Sequence, residues 1–140
     1  MRRLAFLLLA LTTGFSLDAA TLDAQLVRAS KSFTATDDAL APLQPKLKKL
    51  FGYDHYRQLG RQQTALATGT RHRLNLGEGF TLFVTPRATT AHSSTVALEW
   101  YSGKTALVKT TATLAENSPL LIKGPEVGYD WIVLALTVRP

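Results

Sequence analysis

The sequence contains no cysteine among its 140 residues. This absence excludes disulfide bonds, lipid attachment through a cysteine, thiol catalysis and cysteine-based zinc sites. N-glycosylation is excluded as well, because Asn75 is followed by Leu76-Gly77 and Asn117 by Ser118-Pro119. A domain of this length buries enough surface to be stable without such cross-links.

Long apolar runs are also missing. The longest, residues 4–11, has eight residues, far fewer than the roughly twenty that cross a bilayer. This run follows Arg2-Arg3 and precedes small and polar residues, a pattern typical of a secretory signal peptide. We therefore predict a signal peptide over residues 1–20 and a single exported domain over residues 21–140, periplasmic or extracellular. An exported domain without cysteines or glycosylation sites favours a bacterial cell envelope.

Reactive groupings are scarce. The only histidines are His55, His72 and His92, which are far apart in sequence, and no Gly-x-Ser-x-Gly nucleophile motif is present. We therefore assign no catalytic residue, no metal site and no cofactor. Paired carboxylates would permit one alternative, a small hydrolase acting on envelope polysaccharide. The candidate carboxylates are Glu78, Glu99, Glu116, Glu126 and Asp130.

The pattern that is present is mainly that of β-strands. Residues 71–76 and 80–85 alternate apolar and polar side chains, and Ser102-Gly103 between two apolar segments predicts a hairpin. Residues 21–35 predict a half-buried strand, with Leu22, Ala24 and Leu26 on one side and Asp23 and Gln25 on the other. The last strand, residues 131–138, is apolar on both faces, which indicates that both are covered.

One segment has helical spacing. Leu40, Leu43, Leu47 and Leu50 recur at intervals of three and four residues, and Gly52 is a typical C-terminal stop. The second apolar face of the last strand would accept this leucine stripe. The predicted fold is therefore mainly β, a small antiparallel β-sandwich with one short α-helix packed on a sheet.

The remaining candidates for function are basic. Lys and Arg number 16 against 10 Asp and Glu, giving a formal net charge of +6. Arg71 and Arg73 share a strand face, and Arg57 and Arg61 on the preceding strand would join them across a hairpin as a patch for an anion or partner. The alternative is a set of solvated charges that protects an edge strand.

These observations together predict a non-catalytic binding or assembly module of the bacterial envelope. Its expected partner is an envelope protein or an anionic polymer. Nucleic acid is not expected, because the protein is exported and no strand pair combines aromatic and basic residues in the RNA-binding manner.

Overall fold

The computed structural model describes residues 20–140, which form eight β-strands, one α-helix and one 3-10 turn. The predicted signal peptide lies outside the described residues, apart from Ala20. The strands are β1 (Thr21–Ala29), β2 (Tyr56–Ala65), β3 (His72–Gly77), β4 (Phe80–Thr89), β5 (Ser93–Ser102), β6 (Thr105–Ala115), β7 (Leu120–Val127) and β8 (Asp130–Arg139). The 3-10 turn (Asp38–Leu40) and helix α1 (Gln44–Phe51) lie between β1 and β2 in the chain.

The strands form two antiparallel sheets of four. The first sheet has the order β2-β1-β8-β7, and the second has the order β3-β4-β5-β6. The inward side chains of both sheets make one core, in which Trp100 is one of the largest fully buried side chains. The alternation of residues 80–85 is confirmed, because Phe80, Leu82 and Val84 all lie in this core. The predicted antiparallel β-sandwich is therefore confirmed.

Helix α1 packs on the outer face of the first sheet, as predicted. Leu43 and Leu47 are buried in a second apolar cluster that includes Val133 and Ala135 from the final strand. Gly52 ends the helix in a left-handed conformation, with its N–H donating to the Lys48 carbonyl at 2.9 Å. A helix of eight residues is not stable alone, so this contact with the sheet holds it in place.

One member of the leucine stripe was assigned wrongly. Leu50 is 55% exposed. The sheet-facing position is taken by Phe51, four residues after Leu47, and it packs partly against the cluster. Leu40 is buried but belongs to the preceding 3-10 turn, so the stripe spans two elements rather than one helix.

The prediction for strand β1 was wrong in two respects, since the strand ends at Ala29 rather than at residue 35 and is buried on both sides rather than on one. Its core side is apolar as predicted, but Asp23 and Gln25 on the other side are buried too. The reason lies in its position, since β1 is a central strand and α1 with its preceding turn covers part of its outer face. Both polar side chains therefore form hydrogen bonds with protein groups rather than with solvent.

The hairpin between β5 and β6 is confirmed, but its register is shifted. Ser102 pairs with Thr105, so the loop is Gly103-Lys104 rather than Ser102-Gly103. An irregularity between Trp100 and Tyr101 shifts the pairing again beyond the turn.

Within residues 20–140, no helix is both long enough and apolar enough to cross a membrane.

Candidate functional site

The outer face of the second sheet is the most distinctive surface of the described chain. Helix α1 lies on the other sheet, so the outward side chains of β3 to β6 are half-buried or exposed. The pairing registers place Arg73, Phe83, Glu99 and Lys109 in one row across the four strands. We call this surface the β3–β6 face.

Two aromatic rings lie at the centre of the β3–β6 face. Phe83 and Tyr101 contact each other edge to face, with ring centroids 5.7 Å apart. The guanidinium of Arg71 lies 4.0 Å from the Phe83 ring centroid, and the Lys109 ammonium lies 5.8 Å from that of Tyr101. Each cation is thus attracted to the negative face of a ring, an interaction of about 0.5–1 kcal/mol at exposed positions.

The charges on the β3–β6 face are predominantly positive. Arg71 donates from Nη2 to Glu99 Oε2 at 2.7 Å, so this carboxylate is already paired. Arg73 and Lys109 are exposed. Three cations and one carboxylate leave a formal excess of two positive charges, and this excess attracts anions.

Hydroxyl groups surround the rings and charges. By register and alternation, five threonines project from the same face, and the Thr95 and Thr113 hydroxyls lie 3.1 Å apart across two strands. Each hydroxyl both donates and accepts hydrogen bonds. The five are Thr81, Thr85, Thr95, Thr111 and Thr113.

The four predicted arginines separate into two pairs. The expected hairpin between β2 and β3 does not form, because these strands are edge strands of different sheets. Arg71 and Arg73 lie on the β3–β6 face. Arg57 and Arg61 lie on β2, where Arg57 is 4.2 Å from the Phe33 ring centroid and Arg61 forms an ion pair with Asp23.

The histidines lie near different partners. The Nδ1 atoms of His55 and His72 lie 3.5 Å and 3.3 Å from the hydroxyls of Thr36 and Thr64. His92 Nδ1 lies 3.8 Å from Glu116. No group of three or more potential metal ligands occurs within residues 20–140.

Sequence reasoning found part of the β3–β6 face and missed the rest. The apolar alternation of residues 96–100 predicts that Glu99 and Tyr101 share the opposite, polar face, and the structure confirms this. A loop at Ser102-Gly103 would not place Lys109 beside Glu99, and the observed register does. The alternation of residues 80–85 left Phe83 outward, and an outward aromatic on a central strand was the signal that could have identified the face.

Comparison with protein-family models, curated proteins and solved structures finds no match for this chain.

Proposed function

We propose that this chain is an exported, non-catalytic binding module of the bacterial cell envelope, and that the β3–β6 face binds an anionic polysaccharide. The observation that carries the proposal is the pair of aromatic rings flanked by cations on an open sheet. The Phe83 and Tyr101 rings provide apolar contact for the C–H groups of sugars, while Arg71, Arg73 and Lys109 would attract carboxylate or sulfate groups.

The chemistry of the face favours a polymer over a protein partner. Protein interfaces place well-packed apolar and aromatic anchors at their centre and exclude water around them. The β3–β6 face offers only two rings, and it surrounds them with hydroxyls and charges. A flat polar surface with repeated hydroxyl groups suits an extended chain that bears many hydroxyls itself.

The carboxylates are distributed in a way that fits binding better than hydrolysis. Glu99 pairs with Arg71, Asp130 pairs with Arg28 at 2.8 Å, and Glu116 lies beside His92. A glycoside hydrolase uses two carboxyl groups on either side of one bond. These three carboxylates belong to different elements and already have cationic or ionisable neighbours.

The first prediction tests the two arginines of the β3–β6 face. The double variant Arg71→Gln/Arg73→Gln is expected to weaken binding to polygalacturonate about tenfold or more at low salt, since two of the three cations that would meet uronate groups are removed. Wild-type affinity should fall as salt rises, because exposed charges are screened. Isothermal titration calorimetry measures both effects, and unfolding free energy should change by about 1 kcal/mol at most.

The matched control is Lys48→Gln/Lys49→Gln, which removes two exposed charges from helix α1 on the opposite side of the sandwich. It should retain near-wild-type affinity. Equal losses in both double variants would mean that only net charge matters, and the assignment of the β3–β6 face would then be wrong. Release of new reducing ends from the polymer would instead support the hydrolase alternative.

The second prediction concerns export. N-terminal sequencing of the protein recovered from the envelope or medium of its host should give a mature chain that starts near residue 20, and no later than Thr21. Strand β1 pairs on both sides from Thr21 onward, so cleavage within it would remove central pairing. Recovery of the intact chain from the cytosol, starting at Met1, would contradict export.

A further inference from the structure

A cavity of about 330 Å³ lies on the first sheet, beside the start of helix α1. It is remote from the β3–β6 face, because it lies on the outer side of the opposite sheet. Its polar walls include Gln25, Arg61, Thr137 and Arg139 from three adjacent strands, together with Asn117. Its apolar wall is formed by Ala39, Pro42 and Leu43.

A buried carboxylate organises the arginines at this cavity. Asp23 is only 1% exposed and accepts two hydrogen bonds from Arg61, from Nε at 2.9 Å and from Nη2 at 2.5 Å. Arg139 approaches the same carboxylate from the other side, with Nη2 at 3.5 Å from Oδ2. The hydrogen bond to Asp23 also raises the pKa of Arg61, which therefore remains a cation.

The charges at this site do not cancel. Two guanidinium groups share one carboxylate, so this arginine–aspartate cluster has a formal excess of one positive charge. A guanidinium has five N–H donors, and Arg61 uses two of its nitrogens on Asp23. Arg61, Arg139 and Thr137 all line the cavity, so the guanidinium N–H groups that do not bond Asp23 can serve a ligand there.

We propose that this cavity binds a single carboxylate group carried on a small apolar body, such as an organic acid or the C-terminus of a peptide. One negative charge matches the excess of one positive charge, whereas a doubly charged phosphate would exceed it. The planar forks of Arg61 and Arg139 suit the planar carboxylate. Leu43, Pro42 and Ala39 provide the contact surface for the apolar part.

The size of the cavity agrees with this ligand class. Small-molecule sites usually have volumes of about 300–1,000 Å³, so this one is at the lower end of the range. Asp23 serves as a positioning residue, because it fixes the Arg61 guanidinium before a ligand arrives. Such preorganisation reduces the entropy that binding would otherwise cost.

The test uses N-acetyl-leucine as the probe and N-acetyl-leucinamide as its uncharged analogue, titrated into the full chain and followed by NMR. The acid should shift the resonances of the Arg61 Nε–H and of the Thr137 and Asn117 amides, with a dissociation constant of about 1 mM. The amide analogue should bind about tenfold more weakly or worse. A short peptide ending in a free leucine, compared with its amidated form, distinguishes a peptide terminus from a free acid.

Arg139→Gln is the informative variant, because its side chain is 56% exposed and its loss leaves the Asp23–Arg61 pair intact. It should weaken binding of the acid about tenfold, while Arg73→Gln, on the opposite sheet, should leave it unchanged. The double variant Arg71→Gln/Arg73→Gln, which is expected to lose polymer binding, should likewise bind the acid normally. The failure of one proposal can therefore be distinguished from the failure of the other. Equal affinity for acid and amide, or indifference to Arg139→Gln, would overturn the proposal.

Discussion

Replacing Gly60 by alanine is expected to destabilise the domain by about 3 kcal/mol or more. Gly60 is on β2, and a Cβ atom built there would lie 1.7 Å from the Leu76 carbonyl oxygen on β3. In real proteins a Cβ atom essentially never lies within 3.0 Å of an atom from a residue that is not its chain neighbour. Since the obstacle is backbone rather than a flexible side chain, the two strands themselves must separate.

The cost of that separation comes from the core. Strands β2 and β3 are the edges of opposite sheets, and their close approach at Gly60 closes one side of the sandwich. Leu76 is 1% exposed there, so moving β3 outward would expose this buried apolar side chain to solvent. A loss of this size is a large fraction of the 5–15 kcal/mol that stabilises a typical domain.

Chemical denaturation of the two variants Gly60→Ala and Gln62→Ala measures the effect. Gln62 is exposed on the same strand, two residues along, and its replacement should change the unfolding free energy by about 0.5 kcal/mol at most. If Gly60→Ala is as stable as Gln62→Ala, the two edge strands do not meet as described.

Gly60 also shows what local sequence pattern can predict. In the sequence, the apolar alternation of residues 56–66 changes phase between Leu59 and Leu66, which predicts a bulge at Gly60. The pairing confirms the bulge, since Leu26 pairs with Gly60 and Val27 with Gln58, leaving Leu59 as an extra residue. That inference needed only the period of one strand. The contact of Gly60 with Leu76 involves a strand of the other sheet, and no local pattern specifies it.

The arginine patch failed to form for the same physical reason. Strands β2 and β3 are consecutive and joined by a short connection, so a hairpin was the simplest expectation. In the structure, β2 instead pairs with β1 and β3 pairs with β4. Sheet membership depends on the packing of the whole chain, and this packing decides whether Arg61 meets Arg71 or Asp23.

The burial of Asp23 and Gln25 was the other feature that the apolar–polar alternation of the sequence could not predict. In the sequence, Asp23 and Gln25 alternate with apolar residues and resemble a wet strand face. The structure instead places Gln25 within hydrogen-bonding distance of Gln58 and Ala39, and it pairs Asp23 with an arginine 38 residues away. The carboxylate-binding cavity depends on that long-range pair, so it was not predictable from the alternation.

Strand β8 is apolar on both faces, and this pattern correctly predicted where the helix lies. The same contact between helix and sheet predicts a large loss of stability when Leu47 is truncated. Leu47→Ala is expected to cost about 2–5 kcal/mol, because Leu47 is fully buried between helix and sheet. The leucine methyl groups fill space beside Val133 and Ala135, and a strand cannot easily move to fill the cavity left behind. An eight-residue helix has little stability of its own, so losing this contact should also loosen α1.

Leu50→Ala is the matched control, since it makes the same chemical change three residues later in the same helix. Leu50 is largely exposed, so its replacement should change the unfolding free energy by less than about 1 kcal/mol. Hydrogen exchange of the Gly52 amide, which bonds to the Lys48 carbonyl, should accelerate in Leu47→Ala and stay slow in Leu50→Ala. Equal costs for the two variants would mean that the helix is rotated on the sheet, with Leu50 and not Phe51 facing β8.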